Sequence, residues 1–173
     1  MTVRIRRFCA VVALVCAGVV PAAAQQDGLS KDQVAAIEKE VAAALHNYYR
    51  LYTEKSDKAL SADVFLETWV QLGAGGPTIT GTEPADVAKR FAANIERLQA
   101  QWWVKSAYPN PIICVINAGT ALASGEFMRY RADGSVLSYN ATSYLFTKTA
   151  KGWRIVSFFG HERGKIIGCN DGV

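Results

Sequence analysis

The sequence predicts an α+β fold, with long helices in the first half of the chain and antiparallel strands in the second. Two apolar stripes at helical spacing lie before residue 103, and runs of β-branched and aromatic residues fill residues 112–161. The 173 residues contain no internal repeat and no linker composition, which indicates one domain with its own core. Helices placed on one face of an antiparallel sheet define the α+β class.

Residues 1–24 have the pattern of a secretory signal peptide. Three arginines precede an apolar run at residues 8–20, and small residues follow at 21–24. A retained membrane anchor is the alternative, although the run is short for a bilayer span. We expect an exported, periplasmic or secreted protein with a loose start at residues 25–30, the α+β domain at 31–163 and a Gly-rich tail at 164–173.

Removal of the signal peptide changes the charge of the protein. The segment carries three arginines and no acidic residue, so the formal charge falls from +4 to +1. A nearly neutral mature chain gives no electrostatic reason to expect a nucleic acid or an anionic membrane as partner.

The first long helix is predicted over residues 31–54. Ser30 and Gln33 have the spacing of a capping box at its start. Apolar residues then recur at intervals of three and four, which places one stripe on the core side of the helix. The stripe consists of Val34, Ile37, Val41, Leu45, Tyr48 and Tyr52. A short second helix is expected near residues 57–60.

A strand at residues 64–72 and a return strand at 78–80 are predicted next, joined by a Gly-rich turn. The second long helix follows, with Thr82 as its cap and Pro84 in its first turn, where proline costs no hydrogen bond. Its apolar stripe consists of Val87, Phe91, Ile95, Leu98 and Trp102.

Four strands complete the chain. Strands at residues 112–117 and 120–131 are followed by Asp133–Gly134, the strongest two-residue hairpin turn in the sequence. The final hairpin pairs residues 138–148 with 153–161 through a polar loop.

Side-chain alternation divides this hairpin into two faces. A four-residue loop pairs Lys148 with Trp153, and one face then mixes bulky apolar groups with a few polar ones, as ligand pockets do. We predict that this concave face and the first helix line a pocket, although a single bulge would reverse the assignment beyond it. The predicted lining is Tyr52, Phe127, Arg129, Tyr144, Phe146, Ile155 and Phe159.

Two local patterns in these strands carry a family resemblance. They are residues 129–135 (RYRADGS), and residues 152–156 (GWRIV) followed by His161. With the helix order, they make the chain similar to the nuclear-transport-factor-2-like superfamily, in its SnoaL-like branch. The resemblance implies a cone-shaped, strongly curved sheet wrapped around the long helices, with a pocket at the open end. Superfamily members include both enzymes and binding modules, so fold alone does not decide function.

His161 and Tyr48 are the candidate catalytic pair. An imidazole near a pocket mouth can act as acid or base near neutral pH, and a phenol on the first helix can donate into the same space. Arg129 could anchor an acidic ligand group, and Glu67 is a further candidate carboxylate. The alternative roles are structural: a strand-end histidine, packed tyrosines, an exposed arginine and a solvated edge glutamate.

The sequence lacks a convincing catalytic partner for His161, so non-catalytic binding of a small, partly apolar ligand, or service as a dimeric accessory module, is the leading hypothesis. The alternative is a cofactor-free lyase, isomerase or hydrolase that uses His161. We expect no cofactor. A metal site is not expected either, because the chain has only two histidines and no CxxC motif.

Two further expectations concern the mature protein. Cys114 and Cys169 are its only cysteines, and in an oxidising compartment they could form a disulfide, the alternative being two unlinked residues. The outer sheet face is also apolar, at Met128, Tyr130 and Leu145 among others, which favours a homodimer through that face. The alternative is burial by the protein's own tail.

Overall fold

The computed structural model describes residues 28–54, 63–73, 76–81 and 83–169. The predicted signal peptide and the short helix near residues 57–60 lie outside this part of the chain. The described elements are α1 (Lys31–Thr53), β1 (Phe65–Gly73), β2 (Gly76–Gly81), α2 (Pro84–Gln99), β3 (Trp103–Ala107), β4 (Ile112–Asn117), β5 (Thr120–Arg131), β6 (Val136–Thr149) and β7 (Gly152–His161). Neither of these helices has the length and apolarity needed to cross a membrane.

The α+β class is confirmed, and the predicted elements that fall within the described ranges occur in the predicted order. Helix α1 begins with the expected capping box: the Ser30 hydroxyl accepts from the backbone N–H of Gln33, whose side chain accepts from the backbone of Ser30. The buried face of α1 contains Ile37, Val41, Leu45, Tyr48, Tyr49, Leu51 and Tyr52. Strand β3 was not predicted, because its residues follow the second helix without a clear alternating pattern.

The strands form one curled sheet in the order β2-β1-β7-β6-β5-β3, with β4 also paired to β5. Most pairs are antiparallel, as expected, but β1 and β7 run parallel, so the sheet is mixed. Phe65 of β1 lies beside Ile155 of β7 in this pair. The parallel contact joins the beginning of the domain to its last strand, a long-range pairing that local sequence patterns do not reveal.

A bulge in β7 corrects the predicted face assignment. Phe146 pairs with Ile155 and Leu145 with Ser157, which leaves Val156 as the extra residue. Beyond the bulge Tyr144 lies opposite Phe158, while Phe159 lies opposite Ser143. The extra residue shifts the alternation by one. Phe158, rather than Phe159, therefore faces the interior.

The end of α2 also differs from the prediction. The helix stops at Gln99, and Trp102 takes a left-handed conformation with φ of 65°. Its side chain is 78% exposed, whereas that of Trp103 is 2% exposed. The apolar stripe of α2 thus ends at Leu98, and Trp103 takes the core position that was expected for Trp102.

The tail after β7 crosses the outer face of the sheet. The backbone N–H of Gly164 donates to Glu126, and that of Ile167 donates to the Ser124 hydroxyl. Cys169 is then joined to Cys114 of β4 by a disulfide. The tail therefore covers part of the surface that the sequence assigned to a dimer interface.

Candidate functional site

The concave face of the sheet and the two helices surround a cavity of about 860 Å³, called the central cavity below. Its wall combines aromatic groups from α1, β5, β6 and β7 with polar groups from α2. The aromatic lining consists of Tyr48, Tyr49, Tyr52, Phe127, Tyr144 and Phe158. A cavity of this size and composition falls within the range of small-molecule sites.

Tyrosine hydroxyls meet at the inner wall. The Tyr49 and Tyr144 hydroxyl oxygens are 2.8 Å apart and hydrogen-bonded. The ring centroid of Tyr48 lies 5.0 Å from that of Tyr49 and 5.7 Å from that of Tyr144. Burial raises the pKa of all three phenols well above the ordinary tyrosine value. They are therefore neutral hydrogen-bonding groups near pH 7.

Arginines from both layers line the same cavity. Arg90 and Arg97 come from α2, and Arg129 comes from β5. The Arg90 guanidinium donates to Gln71 and lies 5.4 Å from the centre of the Trp69 ring. Burial lowers the pKa of Arg90, which marks a partly dry environment. The three guanidinium groups give this side of the cavity a positive character.

The Arg129 guanidinium packs against the aromatic ring of Phe127 on the same strand. Its guanidinium carbon lies 5.1 Å from the centre of the Phe127 ring. Its Nε is buried and has no hydrogen-bond partner among the described residues. A buried donor without an acceptor is costly, so this atom is a natural contact point for a bound molecule.

His161 lines the cavity at the end of β7. Its Nδ1 lies 3.0 Å from the backbone carbonyl oxygen of Glu162. Because a carbonyl can only accept, Nδ1 carries the hydrogen, and in the neutral ring Nε2 is an acceptor. Nε2 is buried and has no hydrogen-bond partner among the described residues.

The structure brings most of the predicted site residues together. His161, Tyr48, Tyr52, Phe127, Arg129 and Tyr144 all line the central cavity. Phe146 and Ile155 are 1% and 0% exposed in the core and do not line it. Phe159 is displaced to the other face by the β7 bulge. The side chain of Glu67 lies outside the described part of the chain.

Sequence analysis missed the polar contribution of α2. Arg90, Asn94 and Arg97 are spaced by four and three residues, which places them on one side of a helix. That spacing runs beside the apolar stripe and could have revealed them. What the spacing could not reveal is that this polar side faces the sheet.

No cluster of three or more His, Cys, Asp or Glu side chains suited to a metal ion occurs within the described ranges. The site is built instead from phenols, guanidinium groups and aromatic rings.

Comparison with known proteins identifies the family. Residues 38–163 match the family model described as NTF2-like protein (DUF6841). Sequence comparison with curated proteins gives no match.

Solved structures of NTF2-like proteins share the fold. An NTF2-like protein with a cystatin-like fold from Novosphingobium aromaticivorans has a TM-score of 0.60 at 19% identity, covering 86% of this chain and 94% of that one. An NTF2-like superfamily protein from Salmonella enterica has a TM-score of 0.55 at 17% identity, covering 81% and 99%. A DUF3225-family protein of unknown function from Pectobacterium atrosepticum has a TM-score of 0.53 at 24% identity, covering 80% and 94%. At these identities the likeness concerns the fold.

Proposed function

This chain belongs to the NTF2-like protein family DUF6841, and we propose that it uses the fold to bind a small, partly apolar molecule in the central cavity without transforming it. The observation that carries the proposal is the aromatic wall around a cavity of about 860 Å³. Flat, rigid rings offer a large apolar contact area at low entropic cost on binding.

The aromatic wall is held in place before any ligand arrives. Tyr144 stacks against Phe158 with centroids 5.8 Å apart, and Phe158 stacks on Trp69 at 5.6 Å. Tyr108 also stabilises the wall, because its hydroxyl donates to the Thr142 carbonyl oxygen at 2.7 Å. A preformed wall lowers the entropic cost of binding, which favours a receptor role.

The environment of His161 favours binding over acid–base catalysis. One ring nitrogen is engaged by a neighbouring backbone carbonyl, and the raised pKa of Tyr48 makes its phenol a poor proton donor or acceptor at neutral pH. The catalytic alternative, with His161 and Tyr48 as the acid–base pair, requires a turnover that depends on His161.

We further propose that the protein works outside the cytoplasm, as a homodimer. The basic, apolar and small-residue pattern of residues 1–24 supports export. The disulfide between Cys114 and Cys169 suits an oxidising compartment. Half-buried apolar residues beside the tail, such as Met128 and Leu145, support pairing through the outer face, where about 800 Å² per partner would suffice.

Native mass spectrometry of the protein purified from its own cell envelope tests the binding role and the subunit count together. Adjacent exposed alanines on α2 give a matched pair of variants, since Ala93 lines the cavity and Ala92 does not. We expect a retained small molecule on the wild type and on Ala92→Trp, and its loss from Ala93→Trp. Wild-type protein that carries no bound mass and also fails to bind 2-naphthamide, a neutral aromatic probe, would exclude the proposed function.

A further inference from the structure

The charge balance of the central cavity is uneven. The described residues that line it include Arg90, Arg97, Arg129 and Arg163, against Glu162 as the acidic member. Arg163 is paired with Glu126, 3.2 Å away on the outer side of the sheet. The side chains of the other three arginines give the cavity wall a positive potential, which favours an anionic group on a bound molecule.

Two hydrogen bonds made by α2 side chains determine how the Tyr52 hydroxyl can act in this cavity. The Arg97 guanidinium donates to the Asn94 side-chain oxygen at 2.6 Å. This contact sets the amide orientation, so that the Asn94 nitrogen faces the Tyr52 hydroxyl and donates to it. The Tyr52 oxygen thus accepts from Asn94, and its own hydrogen is left for another partner.

The state of Tyr52 near neutral pH follows from its surroundings. Burial raises the pKa of its phenol to about 12, even though Arg129, Arg97 and Arg90 act in the opposite direction. The hydroxyl is therefore protonated at pH 7. Tyr52 and Arg129 both line the central cavity.

Arg129 supplies the second donor. Its stacking on Phe127 restricts the side chain, and its buried Nε lacks an acceptor in the described structure. The next arginine on the strand, Arg131, lies beyond a register shift and hydrogen-bonds within its own hairpin, to Ser135 and Val136. Of these two arginines, Arg129 is the one that lines the cavity.

We infer that the central cavity selects ligands in which a carboxylate is attached to an aromatic or otherwise apolar body, with the carboxylate bound by Arg129 and by the Tyr52 hydroxyl. The apolar body then lies against Tyr144 and Phe158. A planar guanidinium matches a carboxylate in shape and charge, and Arg90 and Arg97 add favourable potential around it. The inference rests on the proposed function and specifies the ligand class.

Isothermal titration calorimetry at pH 7 with 2-naphthoate and 2-naphthamide tests this inference. The two probes have nearly the same shape and differ in charge. We expect wild-type protein to bind the carboxylate about tenfold or more tightly than the amide, since hydrogen bonds to charged groups are the stronger ones. Equal affinities would overturn the carboxylate preference while leaving the binding role intact. Binding of neither probe would overturn the carboxylate preference, and it would overturn the binding role as well if the wild-type protein also carries no bound mass.

Arginine variants test whether Arg129 is the side chain that produces the preference for a carboxylate. Arg129→Gln should abolish the discrimination between the two probes while keeping the affinity for 2-naphthamide. Arg154→Gln is the matched control, because Arg154 lies on β7 outside the cavity lining and donates to the Trp153 carbonyl. Undiminished discrimination in folded Arg129→Gln would overturn the assignment. If that variant does not fold, the wild-type comparison of the two probes still decides the ligand class.

Discussion

The indole Nε1 of Trp153 donates to the Glu40 carboxylate at 2.8 Å, which connects the last strand to the middle of α1. The Lys148 ammonium reaches the same carboxylate oxygen at 2.7 Å and lies 5.6 Å from the centre of the indole ring. The final hairpin is thus attached to the first helix by packing and by a shared carboxylate, so the ends of the domain stabilise each other.

Replacement of Trp153 by alanine should strongly destabilise this attachment. The side chain is 6% exposed, and large-to-small changes of a buried tryptophan cost about 3–5 kcal/mol. Urea denaturation measures the loss. Trp102→Ala is the control, because that side chain is 78% exposed and should change stability by less than about 0.5 kcal/mol. A cost below about 1 kcal/mol for Trp153→Ala would mean that β7 is not packed as described.

Gly125 is required by the close approach of Tyr108. A Cβ at Gly125 would lie 2.9 Å from Cε1 of the Tyr108 ring and 3.0 Å from its hydroxyl oxygen. The ring cannot easily move, because it is buried and hydrogen-bonded to Thr142. Gly125→Ala should therefore cost about 1–3 kcal/mol in thermal or urea unfolding. Gly119→Ala, where the nearest atom would be 3.7 Å away, should be much milder; equal effects would contradict the steric explanation.

The disulfide should stabilise the domain by holding the tail on the sheet. It joins residues separated by 55 positions, and closing such a loop restricts the unfolded chain by about 2–4 kcal/mol. The double variant Cys114→Ser with Cys169→Ser should lose about that amount in denaturant titrations. Added reductant should lower the stability of the wild type and leave the double variant unchanged. A reductant effect of the same size on both proteins would contradict this role.

The buried phenols predict alkaline instability. Tyr48, Tyr49 and Tyr144 have a raised pKa when folded, so above about pH 10 the unfolded chain releases protons that the folded chain retains. The free energy of unfolding should then fall by roughly 1.4 kcal/mol per pH unit for each such tyrosine. Circular dichroism with urea from pH 9 to 11.5 measures the slope. Tyr48→Phe should lower this slope by the contribution of one tyrosine, roughly 1.4 kcal/mol per pH unit. An unchanged slope would contradict the burial of the Tyr48 phenol.

His161→Ala should leave folding intact. The ring contacts the backbone of its own neighbour, and its Nε2 has no partner among the described residues, so little native bonding is lost. We expect an unchanged thermal transition and continued binding of 2-naphthamide. Turnover of a co-purified molecule that disappears in this variant would favour the catalytic alternative. Failure to fold would instead make His161 structural.

Local sequence patterns were sufficient for most of the fold. The capping box at Ser30 and the strand limits at residues 112–117 and 120–131 were predicted as observed. These features depend on neighbours a few positions away, so periodicity and turn chemistry determine them. The site was predicted partly for the same reason: Arg129, Tyr144 and the α1 tyrosines follow from alternation and helical spacing.

The remaining features depend on contacts between distant segments. The extra residue Val156 decides that Phe158 faces the cavity instead of Phe159, and only the pairing of β6 with β7 reveals it. The parallel contact of β1 with β7 likewise joins residues 65 and 155.

The amino-acid sequence by itself determined where helices and strands lie and which side chains each could present. Tertiary structure decided which of those side chains meet, above all the placement of Arg97 and Asn94 of α2 beside Tyr52 of α1 in the cavity lined by Arg129. The physical reason is that spacing along a helix or strand is a local property, whereas the register between strands and the rotation of a helix on a sheet minimise the free energy of the whole core.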